Sequence, residues 1–224
     1  MRTLAISDTH GCQLTFLQLL DNIAFSKSDQ LYILGDNIDR GPRSKEMLDS
    51  IIDLQAKGYQ LRCLRGNHEQ MMLDARTDWQ MSRAWMLNGG TDTMESFSAL
   101  DFDDIPQQYF DLIDSFFYSL QTEKFLFVHA GLNLTIPNPL EDKKSMLWMR
   151  KWEEQPDLSW LSGKIAIHGH TPQTRTAIET RFDNLGKLPI LNIDNGCKFN
   201  YEGYHHLCCV DLTNMRLHFE PNID

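Results

Sequence analysis

Short apolar runs alternate with longer amphipathic stretches along the first half of the chain. Runs rich in Leu, Ile and Val end abruptly at polar or glycine-containing turns, which is typical of buried β-strands. The predicted strands are Thr3–Ile6, Leu31–Leu34, Leu61–Leu64, Phe125–Val128 and Ile165–Ile167. Between the first three, residues 14–23 and 45–57 place apolar side chains at three- and four-residue spacings, which predicts helices. This order of elements predicts an α/β fold.

The rest of the chain is predicted to be helical first and then to form strands. Residues 69–118 have a mainly helical pattern, which includes 79–87 and 105–117. After residue 176 the pattern predicts strands at Leu188–Asn192, Leu207–Asp211 and Arg216–Phe219, and we expect them to be antiparallel. No repeat or Pro/Gly/Ser-rich linker interrupts the 224 residues, so we expect one domain over 1–224.

Composition and charge exclude several classes of protein. The chain is 42% hydrophobic and 23% charged, which is ordinary for a globular domain. Its net charge of -10 argues against nucleic acid or an anionic membrane as the main partner, because both attract basic surfaces. No stretch approaches the roughly 18 apolar residues of a membrane span, and the first apolar run is too short for a signal peptide. We therefore expect a cytoplasmic protein.

Cysteines and large aromatic residues are expected to lie mainly in the core. The five cysteines are an odd number without a C-x-x-C pair, which favours reduced thiols over disulfides or a zinc site. Cys208 and Cys209 are expected on opposite faces of one strand. Large aromatic residues at roughly helical spacing are more often core than substrate-binding. The residues concerned are Trp79, Trp85, Trp148, Trp152 and Tyr201.

Polar side chains follow each of the first five predicted strands. They are Asp8, His10, Asp36, Asn67, His68, His129, His168 and His170. Any one of them has an ordinary explanation, because Asp and Asn are common turn residues and a single His more often makes a local hydrogen bond. In open α/β sheets, however, ligands bind beyond the carboxyl ends of the strands. The recurrence at five strand ends therefore favours one shared site.

The chemistry of these side chains suits a pair of metal ions. Carboxylate, imidazole and carboxamide groups offer oxygen and nitrogen ligands without thiolate, a set that suits Mn, Fe or Zn better than a closed structural zinc site. Two cations about 3.5–4 Å apart repel each other, so a dinuclear centre needs a bridging carboxylate. Asp36, which follows the middle of the first three strands, is the predicted bridge.

Five motifs in this chain resemble those of the calcineurin-like metallophosphoesterase superfamily, and in particular its phosphoprotein phosphatase (PPP) family. They are Ser7-Asp8-Thr9-His10-Gly11, Gly35-Asp36-Asn37-Ile38-Asp39-Arg40-Gly41, Gly66-Asn67-His68-Glu69, His129-Ala130-Gly131 and Gly169-His170-Thr171. The stretches 64–72, 85–90 and 147–150 further resemble the small bacterial and phage lambda-type serine/threonine protein phosphatases. Ser7 stands where the family usually has Gly. The resemblance covers most of the chain.

The resemblance implies a fold and a cofactor. The fold is α/β, with central mixed β-sheets that form a β-sandwich flanked by helices. The cofactor is two divalent metal ions, with Mn²⁺ as the first choice and Fe, Zn or Ni as alternatives. One ion would be held by Asp8, His10 and Asp36, and the other by Asp36, Asn67, His129 and His170. His168 would then be a hydrogen-bonded neighbour of the site rather than a ligand.

The resemblance also implies a mechanism in which a metal-bridging hydroxide attacks phosphorus in line. His68 would protonate the leaving oxygen as the general acid, and Asp39 would hold its ring. Arg40 and Arg150 would bind the non-bridging phosphate oxygens. The alternatives are that Asp39 is an acid at a helix N-terminus and that the arginines make only surface contacts.

The motif residues favour one class of substrate over another. Symmetrical dinucleoside tetraphosphate hydrolases commonly have A-R-G and G-N-H-D, whereas this chain has Asp39-Arg40-Gly41 and Glu69. The expected function is a serine/threonine phosphoprotein phosphatase, with tyrosine also possible as a target, that acts as a monomer on phosphorylated proteins or peptides. The alternatives are a symmetrical dinucleoside tetraphosphate hydrolase or another small-molecule phosphoesterase, and, more remotely, a non-catalytic binding scaffold.

Overall fold

The computed structural model describes residues 1–154 and 157–224. Its strands are β1 (Thr3–Ile6), β2 (Gln30–Ile33), β3 (Gln60–Cys63), β4 (Ser119–Gln121), β5 (Phe125–Val128), β6 (Ile165–His168), β7 (Ile190–Asn192), β8 (His206–Asp211) and β9 (Arg216–Pro221). Its α-helices are α1 (Gln13–Asn22), α2 (Ser44–Ala56), α3 (Asn67–Ala75), α4 (Trp79–Trp85), α5 (Thr91–Ser96), α6 (Gln107–Asp114), α7 (Lys143–Trp148) and α8 (Arg175–Asp183). Residues Met86–Gly90 join α4 to α5 through a kink at Gly89.

The strands form two mixed sheets. One has the order β3-β2-β1-β8-β9, in which β1, β2 and β3 are parallel and β8 and β9 are antiparallel additions. The other has the order β4-β5-β6-β7, in which only β4 is antiparallel. The five strands predicted for the first part of the chain are all present, with bounds that differ by one residue at most.

The prediction for the region after residue 176 was partly wrong. Residues there form helix α8 before the next strand begins, and β7 is parallel to β6 rather than antiparallel. Parallel neighbours need a crossover connection, usually a helix, and α8 provides it. The helix was missed because Ile178 is its one buried residue. Thr174 caps its first turn by accepting a hydrogen bond from the backbone N–H of Ala177.

The two sheets pack face to face, and helices cover the outer face of the larger one. One apolar cluster draws buried residues from both sheets, and within it the rings of Tyr32 and Phe127 stack at 3.9 Å. A second cluster fills the space between the five-stranded sheet and helices α1 to α6. Cys208 belongs to the first cluster and Cys209 to the second, so these neighbours lie on opposite faces of β8 as predicted. All five cysteines are buried and unpaired in disulfides.

The expectation for large aromatic residues holds for only some of them. Trp85 and Trp152 are fully buried, but Trp79, Trp148 and Tyr201 are 72%, 44% and 71% exposed. Helical spacing alone did not distinguish the face that packs on the core from the face turned to solvent. Within residues 1–154 and 157–224, no helix has both the length and the apolar composition to cross a bilayer.

Candidate metal centre and active site

The polar loops that follow the parallel strands meet at one edge of the sandwich. In these loops six residues other than glycine adopt left-handed backbone conformations, with φ between 43° and 70°. They are Asp8, His10, Asp36, Asp39, Arg40 and His170. Such conformations cost on the order of 1–3 kcal/mol each and persist only where surrounding contacts enforce them. Six of the twelve described residues other than glycine with positive φ are therefore residues that the motifs single out.

Hydrogen bonds beyond the strand ends hold the first three loops together. The backbone N–H groups of Asp8 and His10 donate to the carbonyls of Gly35 and Asp36 at 3.2 and 2.9 Å. The buried carboxylate of Glu69 accepts from the N–H groups of Asp36 (2.9 Å), Asn37 (2.6 Å) and Gly66 (2.8 Å). Glu69 lies in the first turn of α3, so this helix ties the second loop to the third.

Asp36 lies at the centre of the cluster. Its Oδ1 is 3.4 Å from Nε2 of His129, and its Oδ2 is 3.8 Å from Nε2 of His10. The two oxygens of one carboxylate thus face imidazoles that come from different sheets. Gly66 makes room for this arrangement, because a Cβ at that position would collide with Oδ1 of Asp36.

The tautomers of two histidines are fixed by backbone carbonyls. Nδ1 of His10 donates to the carbonyl of Ile38 at 2.9 Å, and Nδ1 of His129 donates to that of Leu34 at 2.8 Å. Each Nε2 therefore presents a lone pair to the site, as metal-binding histidines do. Nε2 of His129 lies 3.0 Å from Oδ1 of Asn67, so two acceptors face one another. A cation bound to both atoms would satisfy the two acceptors.

His170 reaches the cluster from the second sheet. Its backbone N–H donates to both carboxylate oxygens of Asp8, at 3.1 and 3.0 Å. Its Nε2 is buried and has no hydrogen-bond partner among residues 1–154 and 157–224. Buried polar atoms are normally paired, so an unpaired imidazole nitrogen beside carboxylates is what a metal ligand leaves when only protein atoms are considered.

The electrostatics of the cluster also suit cations. Burial raises the pKa of Asp8 to about 7, with the charge of Asp194 as the second cause, and burial raises the pKa of Asp36 well above its usual value. Burial lowers the pKa of His10 far below its usual value and that of His170 to about 2. The raised pKa values mean that the protein alone supplies too little positive charge near the two carboxylates to stabilise their charged forms. The lowered pKa values keep the imidazoles neutral, as metal ligands must be.

Two groups of side chains are close enough to hold an ion each, and both include Asp36. One is His10, Asp36 and His68, and the other is Asp36, His129 and His170. The resemblance implies Asp8 rather than His68 in the first group. The resemblance gives His68, whose Nδ1 is bonded to another partner, the role of proton donor, and on that ground we favour Asp8. The donor set fits divalent ions of the Mn, Fe or Zn type.

That partner is Asp39. Nδ1 of His68 donates to Oδ2 of Asp39 at 2.6 Å, and both side chains are buried. Burial raises the pKa of Asp39 to about 7 and, together with the charge of Arg40, lowers the pKa of His68 to about 2. Both shifts disfavour a charged pair in the protein alone. A phosphate dianion beside His68 would favour its protonated form and so make it an acid.

Two arginines flank the cluster from opposite sides. Nη1 of Arg40 donates to Nε2 of His10 at 2.9 Å, so a cationic group already lies against that lone pair. Nη1 of Arg150 donates to Oγ1 of Thr171 at 3.1 Å and lies 3.5 Å from the carbonyl of His170. Both arginines are exposed at the site edge. Planar guanidinium groups in such positions can each bind two phosphate oxygens.

His168 lies outside both candidate groups. It is buried, its Nδ1 donates to the carbonyl of Gly169 at 3.2 Å, and its ring packs edge-on against Trp152 at 5.4 Å. Burial lowers its pKa to about 3. These contacts are typical of a residue that packs beside the site and supports it.

Three residues near the site were missed by the sequence analysis. Asp194 is a buried carboxylate that follows β7, and the strand-end rule could have found it. Trp85 and Thr93 donate to the carboxylate of Asp39. They are 46 and 54 positions away from it in the sequence, and no local pattern signals such contacts.

The fold and the cluster together define a metallophosphoesterase-type site on a two-sheet sandwich. The model of the calcineurin-like phosphoesterase family matches residues 1–207, and the chain belongs to this family.

Relatives with different names are similar to parts of this chain. "Serine/threonine-protein phosphatase 1" of Salmonella typhimurium is 40% identical over 86 residues, which cover 38% of this chain and 37% of that protein. The symmetrical bis(5'-nucleosyl)-tetraphosphatase of Janthinobacterium sp. is 33% identical over 136 residues, which cover 59% of this chain and 44% of that protein. The chain thus spans less than half the length of either relative.

A solved structure supports the same fold over the whole chain. It is described as a protein serine/threonine phosphatase from Saccharomyces cerevisiae with similarity to human phosphatase PP5. Its TM-score is 0.65 at 15% identity, and the alignment covers 100% of this chain and 81% of that one. At this identity the likeness concerns the fold alone.

Proposed function

We propose that this protein is a metal-dependent phosphomonoesterase and that its substrates are phosphorylated proteins or peptides. The observation that carries the proposal is the position of Asp36, whose two carboxylate oxygens face imidazoles from different sheets. When bound, a pair of divalent ions activates a water molecule and draws charge from the phosphate oxygens.

The protein's own residues divide the remaining work. Arg40 and Arg150 bind non-bridging oxygens of the phosphate and orient it for in-line attack. His68 gives its Nε2 proton to the oxygen that leaves with the product, because an alkoxide is a strong base. Asp39 accepts from Nδ1 of His68 at 2.6 Å and stabilises the charged imidazole.

Charge supports a single phosphate rather than a polyphosphate chain as the substrate. The chain has a net charge of -10, and the guanidinium groups of Arg40 and Arg150 contact His10 and His170 of the described cluster. A dinucleoside tetraphosphate carries more negative charge than one phosphoryl group, and it needs more cationic partners along its length. The Asp39-Arg40-Gly41 sequence and Glu69 also favour a protein phosphatase over a dinucleoside tetraphosphate hydrolase, by resemblance to the family motifs.

A second candidate function is symmetrical dinucleoside tetraphosphate hydrolysis. It is favoured by the relative from Janthinobacterium, whose match covers more of this chain than the match to the Salmonella phosphatase. The same metal ligands and the same acid would serve that reaction, so the site alone supports both candidates.

An activity panel separates the candidates. The protein, supplied with Mn²⁺, is assayed with phosphoserine, phosphothreonine and phosphotyrosine peptides, with diadenosine tetraphosphate and with p-nitrophenyl phosphate. We expect at least one phosphopeptide to have a higher kcat/KM than the dinucleotide. A preference for the dinucleotide by about two orders of magnitude, or about 2.7 kcal/mol, would overturn the choice of substrate. No hydrolysis of any ester with any divalent metal would overturn the enzyme itself and favour a binding scaffold.

A further inference from the structure

We propose that Trp85 and Thr93 are positioning residues for proton transfer, because together they hold the carboxylate of Asp39 in the orientation that supports His68. The inference rests on the proposed hydrolysis of phosphate esters but not on the choice of substrate. The two residues were not assigned a role by the motifs, and neither lies among the candidate metal ligands.

The carboxylate of Asp39 has protein donors on both oxygens. The indole N–H of Trp85 lies 3.0 Å from Oδ1 and 2.8 Å from Oδ2, and the hydroxyl of Thr93 donates to Oδ1 at 2.6 Å. Oδ2 also accepts from Nδ1 of His68. All four side chains are buried. With Thr93 on one oxygen and the indole between both, the carboxylate plane is fixed and Oδ2 faces the imidazole.

Thr93 holds the backbone of Asp39 as well as its side chain. The backbone N–H of Asp39 lies 3.0 Å from the hydroxyl oxygens of both Thr93 and Ser44. The single hydroxyl of Thr93 therefore accepts from one end of Asp39 and donates to the other. Serine at position 93 can make both contacts and valine can make neither, which provides a matched pair of variants.

The segment that connects these two residues also contacts the neighbouring arginine. Its kink lies at Gly89, whose φ is 107° and whose carbonyl accepts from the backbone N–H of Arg40 at 3.2 Å. A Cβ at Gly89 would lie 2.7 Å from Cγ of Arg40. Asp39 and Arg40 have φ values of 70° and 68°, a conformation that needs external support. Residues 85–93 supply that support.

The hydrogen bonds also favour the charged form of Asp39. Burial raises the pKa of Asp39 to about 7, whereas the donors Thr93 and Trp85 act in the opposite direction. They stabilise the carboxylate form of Asp39. Without them the carboxylate would be free to rotate, and Oδ2 would no longer be held facing Nδ1 of His68.

This role predicts an effect that depends on the leaving group. Phenolate is a strong enough base to need a proton as the bond to phosphorus breaks, but p-nitrophenolate is a much weaker base and leaves with little help. Loss of positioning should therefore slow hydrolysis of phenyl phosphate far more than that of p-nitrophenyl phosphate. A purely structural defect would slow both reactions alike.

The experiment measures kcat and KM for both esters with saturating Mn²⁺, together with metal content and melting temperature. Thr93→Val is expected to lower kcat for phenyl phosphate about tenfold or more, as a fraction of the 10²–10⁴-fold that acid catalysis supplies. Its kcat for p-nitrophenyl phosphate should stay within about threefold, and Thr93→Ser should restore both values. Trp85→Phe should resemble Thr93→Val. Ser44 remains as an acceptor for Asp39 N–H, so the fold should survive.

Two results would overturn the inference. One is an equal loss on both esters in the folded Thr93→Val variant, and the other is a Thr93→Ser variant that is as slow as Thr93→Val. If the unaltered protein hydrolyses neither ester with any divalent metal, the proposed function fails and the inference fails with it. Normal activity of the unaltered protein combined with either result would overturn the positioning role alone.

Discussion

The two sheets contribute to the candidate site in different ways. Loops after β1, β2 and β3 of the five-stranded sheet are hydrogen-bonded to one another and to Glu69, so this side is organised by its own contacts. The four-stranded sheet supplies His129 and His170, and both are held by atoms of the first sheet. His129 donates to the carbonyl of Leu34, and His170 donates to the carboxylate of Asp8.

One side of the site is therefore a scaffold, and the other side is docked onto it. Asp36, on the first side, belongs to both candidate metal groups, so a change there should disturb both metal positions. His129 and His170, on the second side, belong to one of the two groups, so a change there should disturb only one position.

Asp36→Asn should have the largest effect, because it removes charge from the carboxylate that both groups share. We expect turnover to fall by at least about 10³-fold, which corresponds to roughly 4 kcal/mol of transition-state stabilisation. Metal analysis should find that both ions bind more weakly. Asp21→Asn, at an exposed position in α1, is the matched control and should be neutral. Full occupancy by two ions in Asp36→Asn would contradict the shared role.

His68→Asn should lower turnover of esters with basic leaving groups by about 10²–10⁴-fold, because it removes the proton donor. Metal content should stay nearly unchanged, because the proposed role of His68 is proton transfer and not metal binding. Steady-state kinetics and elemental analysis of the same preparation check both parts. Loss of one metal ion would instead make His68 a ligand, as its 3.9 Å distance from Asp36 allows.

His170→Ala tests the docked side. Its Nε2 is buried and has no hydrogen-bond partner among the described residues, and Asp36 and its first-sheet neighbours remain after the substitution. We expect about one ion per chain to be retained, and turnover to fall on the order of 10²-fold because one of the two metal positions is lost. Titration of the metal-free protein with Mn²⁺ measures the stoichiometry. Loss of both ions would show that the first side does not hold metal by itself.

Arg40→Ala should have a smaller effect than the three substitutions above and should act on substrate binding. A charge-assisted hydrogen bond contributes about 1.5–3 kcal/mol, so we expect kcat/KM to fall about 10- to 100-fold. Arg40→Lys should recover only part of the loss, because an ammonium group lacks the planar fork. Arg150→Ala should cost less, since that guanidinium lies at the docked side and already contacts Thr171. A larger loss for Arg150→Ala would reverse the contrast between the sides.

Much of the fold and of the candidate site could be predicted because each of several site residues lies close in sequence to the end of a strand. Buried parallel strands are continuous apolar runs, and Asp8, Asp36 and His129 follow directly or within two residues of such runs. Helix α8 was missed because most of its residues are polar and Ile178 is its one buried residue. The contacts of Trp85 and Thr93 with Asp39 were missed because they depend on how a distant helical segment packs.

The central claim is that two metal ions share Asp36, and anomalous diffraction from crystals grown with Mn²⁺ tests it most directly. We predict two anomalous peaks about 3.5–4 Å apart, on either side of the Asp36 carboxylate, one beside His10 and the other beside His129 and His170. A single peak, or peaks remote from Asp36 in crystals of protein that hydrolyses phosphate esters, would contradict the claim.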